Sequence, residues 1–525
     1  MEELSLEEAK RTKFVPVDID TAIQLTGFGW FHCGLVLVCG ACFMSAGFQN
    51  GLNAYILPAA QCDLGLSSGE KGALNAAFIM GSVCGTFVWG SLADTVGRKH
   101  VLVASLLIDS VVTLLSSFVQ AYQLFAVCRF FSGFIIGAPS CLVFPYLSEF
   151  HTASRGSASI CLVGFFWTLS WVLLPALAWV VIPITWAYHA PHFVFNSWRL
   201  FVAMLSVPSL ISALSLLLLF PESPQFLHAS GRSGAALAVL QHMFSKNTGR
   251  PAAQYQVREL KRMPRASVQC DTEGQQPHCK LQLVENIVRE LLHQAKRLLV
   301  APLLPHTALC AVLLFTNMFG YFGLGLWLPE LFNRLETFYA THPNESISVC
   351  ELSRISQLNA SLEDLSTGPK CSGNMVESYM FVNNMIIGAA CMLGNILSSL
   401  LAGSLGLKAI SITTMIIAGC SGISVYFMRS SVQNLIVSCV FLACISTANF
   451  VLTGIVVEIF PTSIRGMATC FAILSGRIGA IVSNLIFGEL LDISCEVPIF
   501  LVGSVVIGGG LLGFLLSKKQ ETGMT

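Results

Sequence analysis

Twelve apolar runs, each long enough to cross a membrane, constrain what this chain can fold into. They fall at about 31–58, 71–91, 100–119, 122–147, 157–182 and 198–220. After a polar break they resume at about 305–330, 377–403, 408–428, 434–460, 466–490 and 496–517. A helix of roughly 20 residues spans the ~30 Å hydrocarbon core of a bilayer, and backbone in lipid must satisfy its own hydrogen bonds. The chain therefore reads as an all-α membrane protein, with twelve transmembrane helices in two groups of six. Only 11% of its 525 residues are charged, against about 25% in a soluble globular protein, and its mean hydropathy is +0.70. Lys+Arg and Asp+Glu balance at 29 each, which gives no electrostatic footprint for nucleic acid.

The pattern predicts five regions: a polar segment 1–29, a bundle 30–220, a central loop 221–304, a second bundle 305–517 containing a polar loop 331–376, and a tail 518–525. The first 29 residues include Glu2, Glu3, Glu7, Glu8, Asp18 and Asp20. They lack the basic and apolar regions of a cleaved leader, so the first spanning helix is expected to stay in the mature protein. The break from Pro221 to Leu304 holds eleven Lys/Arg against six Asp/Glu, and the tail begins Lys518-Lys519. Taken together with the short 94–100 and 148–157 connections, this side carries a basic excess, which predicts that it and both termini face the cytosol. Loop 331–376 lies on the other side and carries two glycosylation acceptors, Asn344 and Asn359, each two residues before a serine. It also holds Cys350 and Cys371, which an oxidising compartment would allow to pair. Most other cysteines sit inside apolar runs, where a thiol acts as a small hydrophobe. Within the break, Leu281 to Val300 reads as an amphipathic helix whose Arg289, Lys296 and Arg297 suit lipid headgroups.

Between the second and third runs stands Gly90-Ser-Leu-Ala-Asp94-Thr-Val-Gly97-Arg98-Lys99. Gly90 and Gly97 are expected to permit a sharp reversal and close helix approach. Asp94 and Arg98 are opposite charges at helical spacing. The fourth run ends on Glu149 followed by Arg155-Gly156, and the tenth on Glu458 followed by Arg465-Gly466. The same device in equivalent positions suggests two halves related by duplication. The symmetry is imperfect, because Ala402 to Lys408, the counterpart of the hairpin, lacks the acid and the first arginine. Asp94, Arg98, Glu149 and Arg155 are candidates for a gating charge lattice in the first half, and Glu458, Arg465 and Arg477 for one in the second. As plain surface pairs each would contribute only about 0–1 kcal/mol.

The hairpin resembles the signature loop of the major facilitator transporters, found there between helices two and three. Further segments narrow the resemblance: Thr21 to Gly27, Ile56 to Leu64, Ala178 to Pro183, Ser197 to Val202, Pro221-Glu222-Ser223-Pro224, Asn247 to Gly249, and Tyr321 to Glu330. Together they look like the synaptic vesicle glycoprotein 2 family and its invertebrate relatives, from about residue 18 to 517. The Pro-Glu-Ser-Pro segment is also shared with sugar and organic-ion carriers. Vertebrate members carry a folded luminal domain between helices seven and eight and a long charged N-terminal region, whereas about 45 and ~30 residues stand here.

A carrier of this class binds solute near mid-depth, between its halves. Polar and aromatic residues in the middle of apolar helices are the candidates, since exposure to lipid would be costly for the polar ones. They are Gln49, Asn50, Asn53, Trp167, Trp171, Asn317, Tyr321, Phe322, Asn383, Asn384, Asn449 and Thr453. By resemblance, Trp167 and the Tyr321–Phe322 pair fall where the family lines its central cavity. Relatives carry carboxylates in helix one, where this chain reads Ser45 to Asn50. Asp109 is the remaining deep acid of the first half, with Arg129 as candidate partner. The expected function is a transporter of a small polar organic solute, with or without a coupling ion, acting by alternating access as a monomer in a vesicle, endomembrane or plasma-membrane bilayer. A transport-inactive receptor or trafficking protein of the same fold is the alternative. No nucleophile–base pair, phosphate loop or metal set stands out, so neither an enzyme nor a cofactor or metal is expected.

Overall fold

The computed structural model describes residues 16–516 except 192, 262–295, 297, 299, 301–302, 342–346, 349, 353–377, 461–464 and 492. Among the described residues, twelve helices are long and apolar enough to cross a membrane. A short helix α1 (Ile19–Leu25) precedes the first of them, α2 (Trp30–Leu64). Then follow α3 (Ser68–Val96), α4 (Arg98–Ser116), α5 (Tyr122–Ser148) and α6 (Ala153–Val181). A two-stranded hairpin, β1 (Ala187–Ala190) with β2 (Phe193–Asn196), precedes the sixth span, which is built from α7 (Ser197–Met204) and α8 (Ser206–Leu219). Two short helices, α9 (Pro224–Ala229) and α10 (Ser233–Thr248), leave the bundle. The second half comprises α11 (Leu304–Thr341), α12 (Ser378–Leu405), α13 (Leu407–Ser424), α14 (Ser431–Ile459), α15 (Arg465–Leu490) and α16 (Glu496–Leu512).

Spans alternate in direction, so the molecule has a hairpin face, holding the Gly90–Lys99 turn, and an opposite face. Local sequence sets the helix ends. At the opposite face Ser67 and Glu70 cap α3 reciprocally: the Glu70 carboxylate accepts from Ser67 N at 2.9 Å and the Ser67 hydroxyl accepts from Glu70 N at 3.3 Å. At the hairpin face Gly97 adopts φ +116°, and a Cβ there would lie 2.4 Å from the Glu222 carboxylate, so the reversal requires glycine. Gly90 is different: a Cβ on it would meet nothing within 4 Å. The close approach expected there is not made, and the second glycine alone shapes the turn.

The two halves meet along three helix pairs: α3 with α15, α6 with α12, and α2 with α11. Where they cross, glycine brings backbones into contact. A Cβ on Gly72 would lie 2.5 Å from Asn484 O and 2.9 Å from the Gly488 Cα, and one on Gly388 would lie 2.5 Å from Trp171 O. The first crossing seals the opposite face. The second lies near mid-depth.

Cys350 is disulfide-bonded to Cys495, at the start of α16 and 145 positions further along the chain. This corrects the expected Cys350–Cys371 bond, since spacing along a loop cannot reveal that Cys350 meets a residue at the start of another spanning helix. Cys371, both glycosylation acceptors (Asn344 and Asn359) and most of the 281–300 amphipathic segment lie outside the described residues.

Candidate functional site

The hairpin face is held by charge. Arg98 Nε lies 2.6 Å from Glu149 Oε1, tying α4 to the end of α5, and the Arg98 guanidinium sits 5.4 Å from the Phe226 ring centroid. Glu222 is the hub beneath. Its Oε1 accepts from Lys99 N and Ser223 N, each at 3.0 Å, and its Oε2 lies 2.9 Å from His100 Nδ1. A carboxylate on the free N–H groups at a helix start is favourable for both hydrogen bonding and dipole. The sequence alone does not mark Glu222 as a hub, because its Lys99 and His100 partners lie 123 and 122 residues away. A charged residue just before a helix was the available signal. Asp94, Arg155 and Arg465 lie in α3, α6 and α15, and their side chains are outside the described set. Glu458 is exposed near the end of α14.

Beside this cluster α10 docks onto the start of α2. Asn247 Oδ1 accepts from Phe31 N at 3.2 Å, and its Nδ2 donates to Gly27 O at 3.0 Å and lies 3.1 Å from His32 Nδ1. His32 Nε2 lies 3.1 Å from Phe150 O and its ring packs edge-on against His151 at 4.8 Å. Burial lowers the His151 pKa, since a charged ring there would lose its water.

At the opposite face, an ion pair bridges the halves. Lys71 Nζ on α3 lies 2.8 Å from Glu330 Oε1 on α11, with side-chain exposures of 1% and 7%. Lys71 also donates to Gln61 at 3.0 Å. Arg334, one turn beyond Glu330, adds a second contact at 3.0 Å and reaches back to Ser68 at 3.4 Å. Neither Lys71 nor Glu330 suggested this role from sequence, because the pair is 259 residues apart. A cavity of about 470 Å³ opens nearby between Ser67, Glu70, Tyr122 and Glu489. It lies away from mid-depth, and its Glu70 carboxylate is already engaged in capping α3.

Inside the first half lies a second buried charge cluster. Gln49 Nε2 donates to Thr113 Oγ1 at 2.7 Å and to Asp109 Oδ2 at 3.4 Å, while Arg129 donates to Gln49 Oε1 at 3.1 Å and Gln49 O at 2.7 Å. Ser209 supplies a second donor to Asp109 at 2.7 Å, and the Arg129 guanidinium stacks 4.5 Å from the Phe78 ring centroid. Gln49 is therefore corrected from solute-lining to internal bridge: its amide is spent between Asp109 and Arg129, where a carboxylate would have met the acid. Asn53 is fully buried and donates to Leu74 O at 3.3 Å. Asn317 likewise donates to Ile445 O at 3.1 Å inside the second half. Both amides donate to helix backbone, while Asn53 Oδ1 and Asn317 Oδ1 stay buried without a protein hydrogen-bond partner.

At mid-depth the halves present aromatics to each other. Trp171 on α6 packs edge-on against Tyr321 on α11 at 5.9 Å, and Tyr321 against Phe322 at 5.0 Å. Trp167 stacks obliquely on Phe43 at 5.1 Å. Trp171 Nε1, Asn50 Oδ1 and Asn449 Oδ1 are buried without a protein hydrogen-bond partner. Unpaired polar atoms in an apolar interior are costly, and a solute that pairs them is favoured. The Thr453 hydroxyl turns back to Asn449 O at 3.0 Å. Arg477 projects from mid-α15 to the Ser82 hydroxyl on α3, so it joins the halves at mid-depth instead of forming the second-half lattice expected of it. Among the described residues there is no group of three His, Cys, Asp or Glu placed to hold a metal ion.

The Major Facilitator Superfamily model matches residues 39–340. The chain is 28% identical to mouse (Mus musculus) synaptic vesicle glycoprotein 2B over 96% of its length and 86% of the relative's. It is 26% identical to mouse synaptic vesicle glycoprotein 2C, over 95% and 80%. Among solved structures, the xylose transporter XylE from E. coli, in a partially occluded inward open conformation, superposes with a TM-score of 0.63. The match covers 93% of this chain and all of XylE at 14% identity, which speaks to fold alone. With twelve spanning helices in two packed halves, this chain belongs to the Major Facilitator Superfamily of membrane transporters and is similar to its synaptic vesicle glycoprotein 2 members.

Proposed function

We propose that the protein carries a small polar organic solute across a membrane by alternating access, with its opposite face closed in the conformation described. One observation carries this reading. The halves are latched at the opposite face by Lys71 and Glu330, while Trp171, Tyr321, Asn50 and Asn449 bring aromatic faces and unpaired polar atoms to mid-depth. A solute held there would be released when the latch opens or the hairpin face parts. Family membership supports transport, and the vesicle glycoprotein relatives favour a vesicle membrane. The Cys350–Cys495 bond favours an oxidising compartment at the opposite face. The basic excess favours the cytosol at the hairpin face, with both termini there. The expected organisation is two six-helix units joined by the central loop, working as a monomer.

The test is uptake by reconstituted vesicles across a broad solute panel, comparing the wild type with Trp171→Ala. Uptake by the wild type, with Trp171→Ala weakening solute affinity, is the expected result. No uptake of any solute by correctly folded protein would remove the carrier reading.

A further inference from the structure

Among the described residues, the other deeply placed cations of the bundle reach a carboxylate, directly or through a bridge, or several backbone carbonyls. Lys71 and Arg334 share Glu330, Arg98 holds Glu149, and Arg129 is bridged to Asp109 through Gln49. Arg199 is held by the Ser117 and Val119 carbonyl oxygens at the opposite face. Arg477 differs. Its recorded hydrogen bond goes to one neutral hydroxyl, that of Ser82 on the other half.

Among the described residues, no acid pairs with it. Arg477 stands 12 residues from Glu489 on its own helix, and Ser82 stands 12 from both Glu70 and Asp94 on α3. At 1.5 Å per residue each separation is about 18 Å. On α5, which packs against α3, Cys141 neighbours Arg477, and that helix holds no acid before Glu149, which pairs with Arg98. On α11, Glu330 lies 12 residues beyond Met318, which packs beside Gly476, and it is already paired with Lys71. A guanidinium stays charged and carries five donors in a planar fork suited to carboxylate. Ionisable side chains at this depth are expensive and face the bundle interior or a cavity.

We propose that Arg477, with Ser82 beside it, is an anion subsite between the halves, and that the solute carries a carboxylate or comparably compact anionic group. This deepens the proposed carrier function and rests on it for the word solute. The binding claim stands separately, because it is read without transport. The guanidinium bridges α15 and α3, so an anion bound there would touch both halves and compete with the Ser82 contact that joins them.

The experiment measures binding to purified full-length protein by thermal shift and calorimetry. The probes are carboxylate/amide pairs of one skeleton, benzoate with benzamide and succinate with succinamide, alongside uptake of the same compounds. The wild type is expected to prefer a carboxylate over its amide. Arg477→Gln should weaken carboxylate binding by at least about 10-fold, as loss of a charge-assisted hydrogen bond predicts, and leave amide binding unchanged. Arg477→Lys, which keeps the charge and loses the fork, should retain part of the preference and guards against a misfolded Arg477→Gln. No carboxylate preference in the wild type, or a preference unchanged in Arg477→Gln or fully lost in folded Arg477→Lys, overturns the inference. Arg477-dependent binding without uptake would refute the carrier reading and leave the anion subsite standing. Uptake of neutral solutes with no Arg477 dependence would do the reverse.

Discussion

Replacing Glu330 by glutamine tests what holds the opposite face shut. In the wild type its carboxylate neutralises Lys71, which is 1% exposed, and Arg334 one turn away. Glu330→Gln keeps the size of the side chain but strands Lys71, and removing one partner of a buried pair costs about 3–5 kcal/mol. Because the pair joins α3 to α11, that cost falls on the closed arrangement and is relieved when the halves part and water reaches the ammonium. At 1.4 kcal/mol per tenfold, opening at this face should become more frequent by roughly 100-fold or more. Lys71→Met breaks the same bridge but leaves Glu330 paired with Arg334, so its effect should be smaller. The double variant should fall below Glu330→Gln alone, since the buried ammonium is gone and only the part-exposed Arg334 has lost its acid. Hydrogen exchange followed by mass spectrometry reads this directly, in peptides covering the start of α3 and the ends of α11 and α15. The reasoning is refuted if protection in these peptides is unchanged in Glu330→Gln, or if Lys71→Met opens them as much.

The disulfide and the buried His151 give two further expected outcomes. Cys495→Ala releases a covalent loop of 145 residues, an entropic loss of about 5 kcal/mol for a free chain and less where the helices stay inserted. A lower thermal midpoint is expected without reductant, and reductant should bring the wild type down to the same value. At the hairpin face, His151 donates through Nδ1 to Leu147 O at 2.9 Å, and its Nε2 has no protein acceptor. Burial depresses its folded-state pKa, so its contribution is full above the unfolded value of about 6.5 and is lost as pH falls through the lower folded value. Thermal midpoints measured downward from neutral pH should therefore fall, and His151→Gln should flatten that fall; an equal slope in both proteins removes His151 as the cause.

Much of the fold was legible because lipid imposes a length and polarity rule on every span. The observed helices overlap all twelve apolar runs, and the first of them extends to Leu64, six residues beyond the expected run. Side-chain roles were less legible. Gln49 and Asn317 look alike in sequence to Asn50 and Asn449, being amides in apolar helices. Gln49 has both amide atoms engaged by Thr113, Asp109 and Arg129, while Asn317, Asn50 and Asn449 each keep a buried acceptor without a protein partner. The hairpin was recognised from its residues, yet the rigid part of the turn comes from Gly97 pressed on Glu222, a residue beyond the sixth span.

Sequence by itself determined the number of spans, their grouping in sixes, the family and the helix ends that caps and turns define, because these depend on near-neighbour chemistry and on the bilayer's thickness. Only the tertiary structure decided which charges meet. Lys71 with Glu330, Arg98 with Glu149, Cys350 with Cys495 and Arg477 with a lone hydroxyl are all set by helix packing across tens to hundreds of residues. A charge at that depth is defined by what stands opposite it, and no spacing along the chain records that.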